Sequence, residues 1–385
     1  MSGTPRKICV VVASRANYAR VKYLMKAIQE SPKLELQLVV GASALLYKYG
    51  RVIDVIRRDG FEPNFQIHYL VEGENLITQA KSTGMGIIEL STAFDSLRPD
   101  VVITVADRFE TMATAIAASY LNIPLAHVQG GEISGNIDDS VRHAITKLSH
   151  LHYPATHQSA ERILRMGEDP WRVKLTGCPS IDILANMDLA LPPREYFQDK
   201  GTGLVFDPAA PYLLVLQHPV TTSFGEGVQQ ITETLHGVKD VPLAKVVLWP
   251  NPDAGSDDVA KAIREFQNDH RDQAFSYHIN FPPETFASMI ANARCVVGNS
   301  SSFIREGAFL GTPAVIVGDR QEGREHGRNV VHAGYDRADI RGKALAQIGH
   351  GRYESEHIFG DGTAGKKIAA HLETAELKIN KRCTY

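Results

Sequence analysis

Between Pro124 and His150 the chain reads PLAHVQGGEISGNIDDSVRHAITKLSH, and in this stretch Gln129, Glu132, Asp138, Asp139, Arg142 and His143 fall within fifteen positions. Carboxylates and an imidazole can move protons near neutral pH. A guanidinium beside glycines that expose backbone N–H groups can grip a phosphate. Proton transfer next to a phosphate is therefore the chemistry this segment suggests. Taken singly, Asp138 and Asp139 are explained as well by helix capping, with Arg142 paired to them. Their convergence with Gly130 and Gly131 at one place favours a functional loop.

The elements that must position them follow from periodicity. Ile123–Val128 is a short apolar run of the kind that forms a buried strand, with Gln129-Gly130-Gly131-Glu132 as its exit. Val141, Ile145 and Leu148 then mark the buried face of a helix, which puts Arg142, His143 and Lys147 on its other faces. Upstream, Ile8–Ala13, Leu34–Val40 and Val101–Val105 read as strands, alternating with helices at Tyr18–Gln29, Val52–Arg58, Leu76–Leu97 and Glu110–Leu121. That alternation predicts a parallel sheet with crossover helices. A ligand then sits outside the carboxyl ends of the strands, where Ser14–Asn17, Ala106–Arg108 and Gln129–Glu132 lie.

The second half repeats the pattern. Strands are expected at Tyr212–Leu216, Lys245–Leu248, Cys295–Val297 and Ala314–Val317, and helices near Gln229–Leu235, Val259–Gln267, Glu284–Ala291 and Ser302–Phe309. The strand exits carry His218, Asn251, Ser300, Ser301 and Arg320. The turn Gly298-Asn299-Ser300-Ser301 leading into a helix would offer hydroxyls and free N–H groups to a phosphate, with Arg320 or Arg324 adding charge. The segment from Gly177 to Pro211 has no clear period and reads as the connection between domains.

Length and composition bound the rest. A chain of 385 residues exceeds one core, so two domains are expected. With 41 basic and 44 acidic residues and a net charge of −3, neither nucleic acid nor an anionic membrane is indicated as a partner. The opening MSGTPRK precedes too short an apolar run for a secretory signal, and no segment approaches the ~20 apolar residues of a membrane span. A cytoplasmic location is expected. Cys9, Cys178, Cys295 and Cys383 are dispersed and read as free, mostly buried thiols. Gly360–Gly365 satisfies GxGxxG and nearly a P-loop, but with 20 residues left no βαβ unit can follow, so it reads as a turn into a last helix. His143, His150, His152 and His157 lack metal-ligand spacing, and no metal is expected.

DRFETMATAIAAS, GGEISGNIDDSVRHAITKLSH, GCPSID, LQHPVTT, PNPDAGS, GNSSSFIREGAFLGTP and RQEGREHGRNV occur in this order. Together they resemble the hydrolysing UDP-N-acetylglucosamine 2-epimerases of sialic acid biosynthesis, including the epimerase half of the bifunctional animal enzyme. The resemblance runs from Cys9 to Phe359–Gly362. It implies an α/β fold like that of the GT-B glycosyltransferases, with two doubly wound Rossmann-like domains facing across a cleft. Residues 1–178 with a returning helix in 362–385 would form one domain, and 179–361 the nucleotide-binding other. It also implies anti elimination of UDP to a 2-acetamidoglucal, hydration to the free 2-epimeric sugar, no nicotinamide or metal cofactor, and a homodimer or homotetramer.

By position in the family motifs Asp107 and Asp138 match catalytic acids, and Arg15, His218, Ser300, Ser301, Glu306 and Arg320 match the nucleotide-sugar grip. Glu132, Gln129, Arg142 and His143 join the candidate catalytic set, and Asn17, Arg108 and Asn251 the binding set. Arg108 and Arg142 are expected to lower the pKa of the neighbouring acids as well as to hold phosphate. Two departures stand out: the family's EGGE loop begins here with Gln129, and its RAD is Arg15-Ala16-Asn17. An amide cannot exchange a proton at neutral pH, so Asp107, Asp138 or Glu132 must carry that step, or the substrate differs. The QGGE form resembles the branch acting on UDP-N,N′-diacetylbacillosamine, with GDP as an alternative nucleotide in some routes. A glycosyltransferase or a non-catalytic nucleotide-sugar sensor would share the scaffold but not need both acids.

Overall fold

The computed structural model describes residues 4–73, 75–135, 137–251, 253–271 and 274–382. The first half places β1 (Arg6–Val12), β2 (Leu34–Gly41), β3 (Phe65–Ile67), β4 (Val101–Val105), β5 (Leu125–Val128) and β6 (Leu151–Tyr153) in one parallel sheet of order β3-β2-β1-β4-β5-β6. Ile8, Val10 and Val12 point to one face and Cys9 and Val11 to the other, all buried, because helices cover both faces. Burying each such β-branched side chain contributes about 1.5–3 kcal/mol.

The second half holds β7 (Gly201–Gly203), β8 (Tyr212–Leu216), β9 (Ala244–Leu248), β10 (Phe275–His278), β11 (Cys295–Gly298), β12 (Ala314–Val317) and β13 (Val330–Ala333). Their order is β13-β12-β11-β8-β9-β10-β7, parallel except for β7, which runs antiparallel along β10. In both sheets the order reverses beside the first long strand, between β1 and β4 in one and between β8 and β11 in the other. A crevice opens at such a reversal, since the crossover helices on its two sides go to opposite faces.

Several expectations change. The first helix begins at Arg15 rather than Tyr18, because the Ser14 hydroxyl accepts the Asn17 N–H (3.3 Å) and caps it there. The helix after the glycine loop spans Ile137–Leu148, which puts Asp138 and Asp139 inside its first turn rather than at its cap. The segment following Gly177 is not an open connection: Ile181, Ile183, Leu184, Phe197 and Phe206 are buried in the core beneath the second sheet. The two passages between halves cross where Gly177 meets Gly360, and the Cys178 N–H donates to the Phe359 carbonyl (2.7 Å). A Cβ on Gly177 would lie 2.9 Å from the Gly360 Cα.

The chain then returns to the first sheet. Ile368 and Leu372 of helix Ala364–Leu372 pack beside Leu24 and Ile28 of helix Arg15–Glu30. Gly365 permits this approach, since a Cβ there would sit 2.7 Å from the Leu24 nitrogen. The Asp182 carboxylate accepts the N–H groups of Ala364 (2.9 Å) and Gly365 (2.6 Å), so the GxGxxG turn binds a side chain of this chain at its helix start. Cys9, Cys178 and Cys295 are free and buried, and Cys383 lies outside the described residues. Among the described residues no helix is long and apolar enough to cross a membrane.

Candidate active site

A cleft opens between the two sheet reversals. Of the residues singled out from sequence, Arg15, Asp107, Arg108, Asp138, His218, Asn251, Ser300, Ser301, Glu306 and Arg320 line it. Arg15 starts its helix at the β1 exit and reaches across to the other half, donating to Asn251 Oδ1 (3.1 Å) and to Asn280. Burial and the nearby Arg108 bring its pKa down to about 10, so it remains a cation at neutral pH. Asn17 does not reach the wall: its Oδ1 accepts the Ala13 N–H (3.2 Å) and braces the strand exit.

At the β4 exit Ala106 takes a left-handed backbone, φ 62°, and turns Asp107 into the cleft. Asp107 is ion-paired with Arg142. Arg142 also donates to Asp139 Oδ1 (2.7 Å), the Glu132 carbonyl (2.7 Å) and Ser134 Oγ (2.9 Å). Its placement corrects the expectation of an outward face: it is fully buried, because the loop from Glu132 to Ser134 folds back over the helix. It steadies Asp107 from behind the cleft wall.

Asp138 lines the cleft with Arg320 Nη2 3.9 Å away. Burial raises its pKa, outweighing the opposing pull of Arg320, Arg108 and Arg324, while the like charge of Asp253 adds to the rise. The expected downward tuning by neighbouring arginines does not hold there, because desolvating one carboxylate outweighs cations that are themselves shared among several acids.

Three more candidates stand outside the wall. Gln129, held at φ 63°, is buried and donates its amide N–H to Cys178 Sγ. Its side chain therefore faces the crossing between the halves, and a role in touching sugar is not what this position offers. Glu132 is buried and joins the halves: its Oε2 accepts from Arg305 Nη1 (3.1 Å) and from Arg324. Arg305 and Arg324 hold its carboxyl below the usual range in spite of burial, so it is fixed as an anion rather than poised to exchange a proton. His143 is half-buried off the wall, and its pKa is lowered by burial and then by Arg142.

From the second half, His218 leaves β8 with its main chain clamped by Asn299, the His218 N–H donating to Asn299 Oδ1 (2.7 Å) and Asn299 Nδ2 donating back to the His218 carbonyl (2.8 Å). The Asn251 N–H donates to its Nδ1 (3.1 Å). Burial pushes its pKa well below the ordinary value, so the ring is neutral with its proton on Nε2, a donor in the wall. Gly298 has φ 139°, and a Cβ there would lie 2.0 Å from the Leu216 carbonyl oxygen. That turn starts helix Ser301–Leu310, whose cap Ser300 and first residues Ser301 and Ser302 line the cleft. Glu306, one turn in, has an Oε2 that is buried and makes no hydrogen bond among the described residues.

Sequence reading missed Asp253, which pairs with Arg108 and lies 3.9 Å from Arg320 Nη2. It follows the Trp249-Pro250-Asn251 exit by two positions, a signal that strand-exit reasoning reaches only if the loop is followed further. Arg320 is thus 3.9 Å from two carboxylates and hydrogen-bonded to neither, ready for a third anion. Phe281, Phe286, Ile290, Ile183 and Leu184 give the remaining wall an apolar character. Among the described residues no group of His, Cys, Asp and Glu is placed to hold a metal ion.

Two facing Rossmann-like units with an acid- and arginine-lined cleft define an α/β protein of the GT-B-like class. Residues 26–373 match the model of the UDP-N-acetylglucosamine 2-epimerase family, and the chain belongs to that family. It is 32% identical over 380 residues to the "UDP-N,N'-diacetylbacillosamine 2-epimerase (hydrolyzing)" of Legionella pneumophila, covering 98% of this chain and 99% of that one. It is 29% identical over 379 residues, 96% of each chain, to the UDP-N-acetylglucosamine 2-epimerase of Neisseria meningitidis. The fold is similar to that of the Methanocaldococcus jannaschii UDP-GlcNAc 2-epimerase crystallised with UDP-GlcNAc and UDP, with a TM-score of 0.79, 18% identity and coverage of 95% and 99%.

Proposed function

We propose that this chain is a hydrolysing 2-epimerase of a UDP-2-acetamido sugar, converting UDP-N-acetylglucosamine to N-acetylmannosamine or UDP-N,N′-diacetylbacillosamine to its free 2-epimer. The observation that carries the reading is the pairing, across one cleft, of Asp107 and Asp138 with the serine-rich start of helix Ser301–Leu310. A helix start with free N–H groups and hydroxyls suits a diphosphate. Arg15, Arg320 and the Nε2–H of His218 add donors and charge. The apolar wall of Phe281, Phe286 and Ile290 suits a uracil, and the Glu306 carboxylate suits the ribose hydroxyls.

In this reading Asp107, steadied by Arg142, takes the C2 proton. The C2–H electron pair forms the C1=C2 bond, the C1–O bond breaks, and UDP leaves with that oxygen. Asp138, the carboxyl that burial favours in its protonated form, returns a proton to C2 from the opposite face. Water supplies the C1 hydroxyl and releases its other proton to solvent. The departing charge is met by Arg320, Ser300 and Ser301 where it develops. Residues 1–178 with 362–385 would act as one domain and 179–361 as the other, with His218, Ser300, Ser301 and Arg320 on the second and the acids, together with Arg15, on the first.

The diacetamido substrate is supported by the identity to the Legionella relative and no longer by Gln129, whose amide is engaged with Cys178. The test is product analysis: each nucleotide sugar is incubated with the protein, and UDP and the free sugar are followed by NMR. Release of UDP with an inverted C2 is expected from at least one. Unchanged nucleotide sugar in both would sink the proposal.

A further inference from the structure

Beside the acid end of the cleft lies a small hollow with room for about one water-sized group, lined by Tyr49, Leu70, Val71, Phe109, Ala254 and the polar start of helix Leu76–Leu97. Gln79 and Phe109 line both this hollow and the main cleft, so they form the partition between them. Phe109 follows Asp107 by two positions and lies under the Arg108 guanidinium, 5.6 Å from ring centroid to cation. The hollow is therefore a side pocket of the sugar end.

The polar groups around it are engaged with one exception. Asn75 and Thr78 bond each other, Thr78 N–H to Asn75 Oδ1 (3.0 Å) and Asn75 N–H to Thr78 Oγ1 (3.1 Å). Ser82 Oγ donates to the Thr78 carbonyl (2.7 Å) and accepts the Val71 N–H (2.9 Å). Gln79 Oε1 is buried and makes no hydrogen bond among the described residues. A buried acceptor without a partner is costly to leave unmade, by an amount comparable to a hydrogen bond. A ligand that brings an N–H to it recovers that loss.

We infer that Gln79 determines which sugar the site prefers: its Oε1 accepts the N–H of a second acetamido group on the hexose, and the hollow behind it takes that group's methyl. A hydroxyl in the same place could donate to Gln79 but would leave the hollow behind it unfilled. The hollow has room for about one water-sized group, which matches the methyl, while the amide of the group stays on the cleft side at Gln79. Ala254 comes from the second half and the rest from the first, so the pocket is complete only with the halves together. This inference rests on the 2-epimerase reading above and narrows its substrate to diacetamido sugars.

The test measures binding apart from turnover. C-glycosidic analogues of UDP-N-acetylglucosamine and UDP-N,N′-diacetylbacillosamine, which cannot lose UDP, are titrated with UDP alone as control, against the native chain and two variants. Gln79→Leu keeps size and removes the acceptor; Ala254→Leu fills the hollow from the other side. The native chain is expected to bind the diacetamido analogue about 10-fold or more tighter than the other, as for a hydrogen-bonded and buried group. Each variant is expected to erase that preference while UDP affinity stays within about 2-fold, which shows that the fold is kept. Equal affinities in the native chain, a preference that survives in both variants, or binding of UDP with neither analogue would overturn the inference. Lack of UDP release from either natural sugar would sink the 2-epimerase reading without touching this binding result.

Discussion

Glu132 separates two accounts of the glycine loop, as a catalyst or as a brace between halves. Replacing it with Gln keeps its shape and removes the charge that Arg305 and Arg324 share. Both guanidiniums are buried, so the variant leaves positive charge in the interior without its counter-ion, a change that typically costs about 3–5 kcal/mol. Unfolding entropy of about 2.1 cal/mol/K per residue over 385 residues gives about 0.8 kcal/mol/K, so the melting temperature should fall by ~4–6 °C. Calorimetry is the assay, and Glu132→Gln combined with Arg324→Met gives the control. Removing the orphaned cation should recover part of the loss, an interaction that a double-mutant cycle isolates. If Glu132→Gln melts within 1 °C of the native protein, shows no coupling to Arg324, and yet loses turnover, Glu132 is a catalyst and the bracing account is wrong.

Asp107→Asn and Asp138→Asn should each slow turnover by about 100-fold or more with UDP affinity kept, and near-native rates in both would remove them from the chemistry. The pKa of Asp138 is raised by burial, and a proton donor works only below its pKa. Its reprotonation step should therefore weaken as pH rises past a value above the ordinary ~3.9 of an aspartate, an alkaline limb in kcat that Asp138→Asn should abolish. A limb that persists in the variant belongs to another group. Glu306→Gln removes an anionic acceptor whose Oε2 is open to a ligand hydroxyl; hydrogen bonds to charged groups contribute about 1.5–3 kcal/mol, so UDP affinity should drop roughly 10- to 100-fold by calorimetry. An unchanged Kd would place the ribose elsewhere.

The long central strands were legible because four or more consecutive apolar residues are buried on both faces, as in β1, β8 and β12, or nearly so in β4, where Thr104 interrupts the run. Strands β3, β6 and β7 are three residues each, and β10 and β13 carry polar residues such as Ser276, His278 and His332, so neither period nor run length marks them. They form only because an existing sheet offers an edge or a gap. Cleft residues at strand ends were legible for the same reason as the strands: Arg15, Asp107, His218 and Ser300 directly follow them. Arg142 was not, since Val141 and Leu148 are only partly buried and the loop from Glu132 closes over the side taken as exposed. Nothing in a one-dimensional period reports a loop folding back. Gln129 drew notice by its type, but the left-handed backbone that aims it at Cys178 has no sequence signature. Asp253 and Gln79 matter through partners 145 and 175 residues away in the chain or across the cleft, Arg108 for Asp253 and Ala254 for the hollow behind Gln79.

Elimination through a glycal leaves an isotopic record that direct hydrolysis does not share, and reading it is the most direct measurement. The native protein is incubated with each nucleotide sugar in deuterated water enriched in oxygen-18, and UDP and the free sugar are weighed by mass spectrometry, with C2 read by NMR. Breaking the C1–O bond predicts UDP without solvent oxygen, and reprotonation at C2 predicts one deuterium there, with inverted configuration. Solvent oxygen in UDP, or a C2 that keeps its original hydrogen and configuration, would mean attack at phosphorus or simple hydrolysis, and the assignment of Asp107 and Asp138 to a C2 proton transfer would be contradicted.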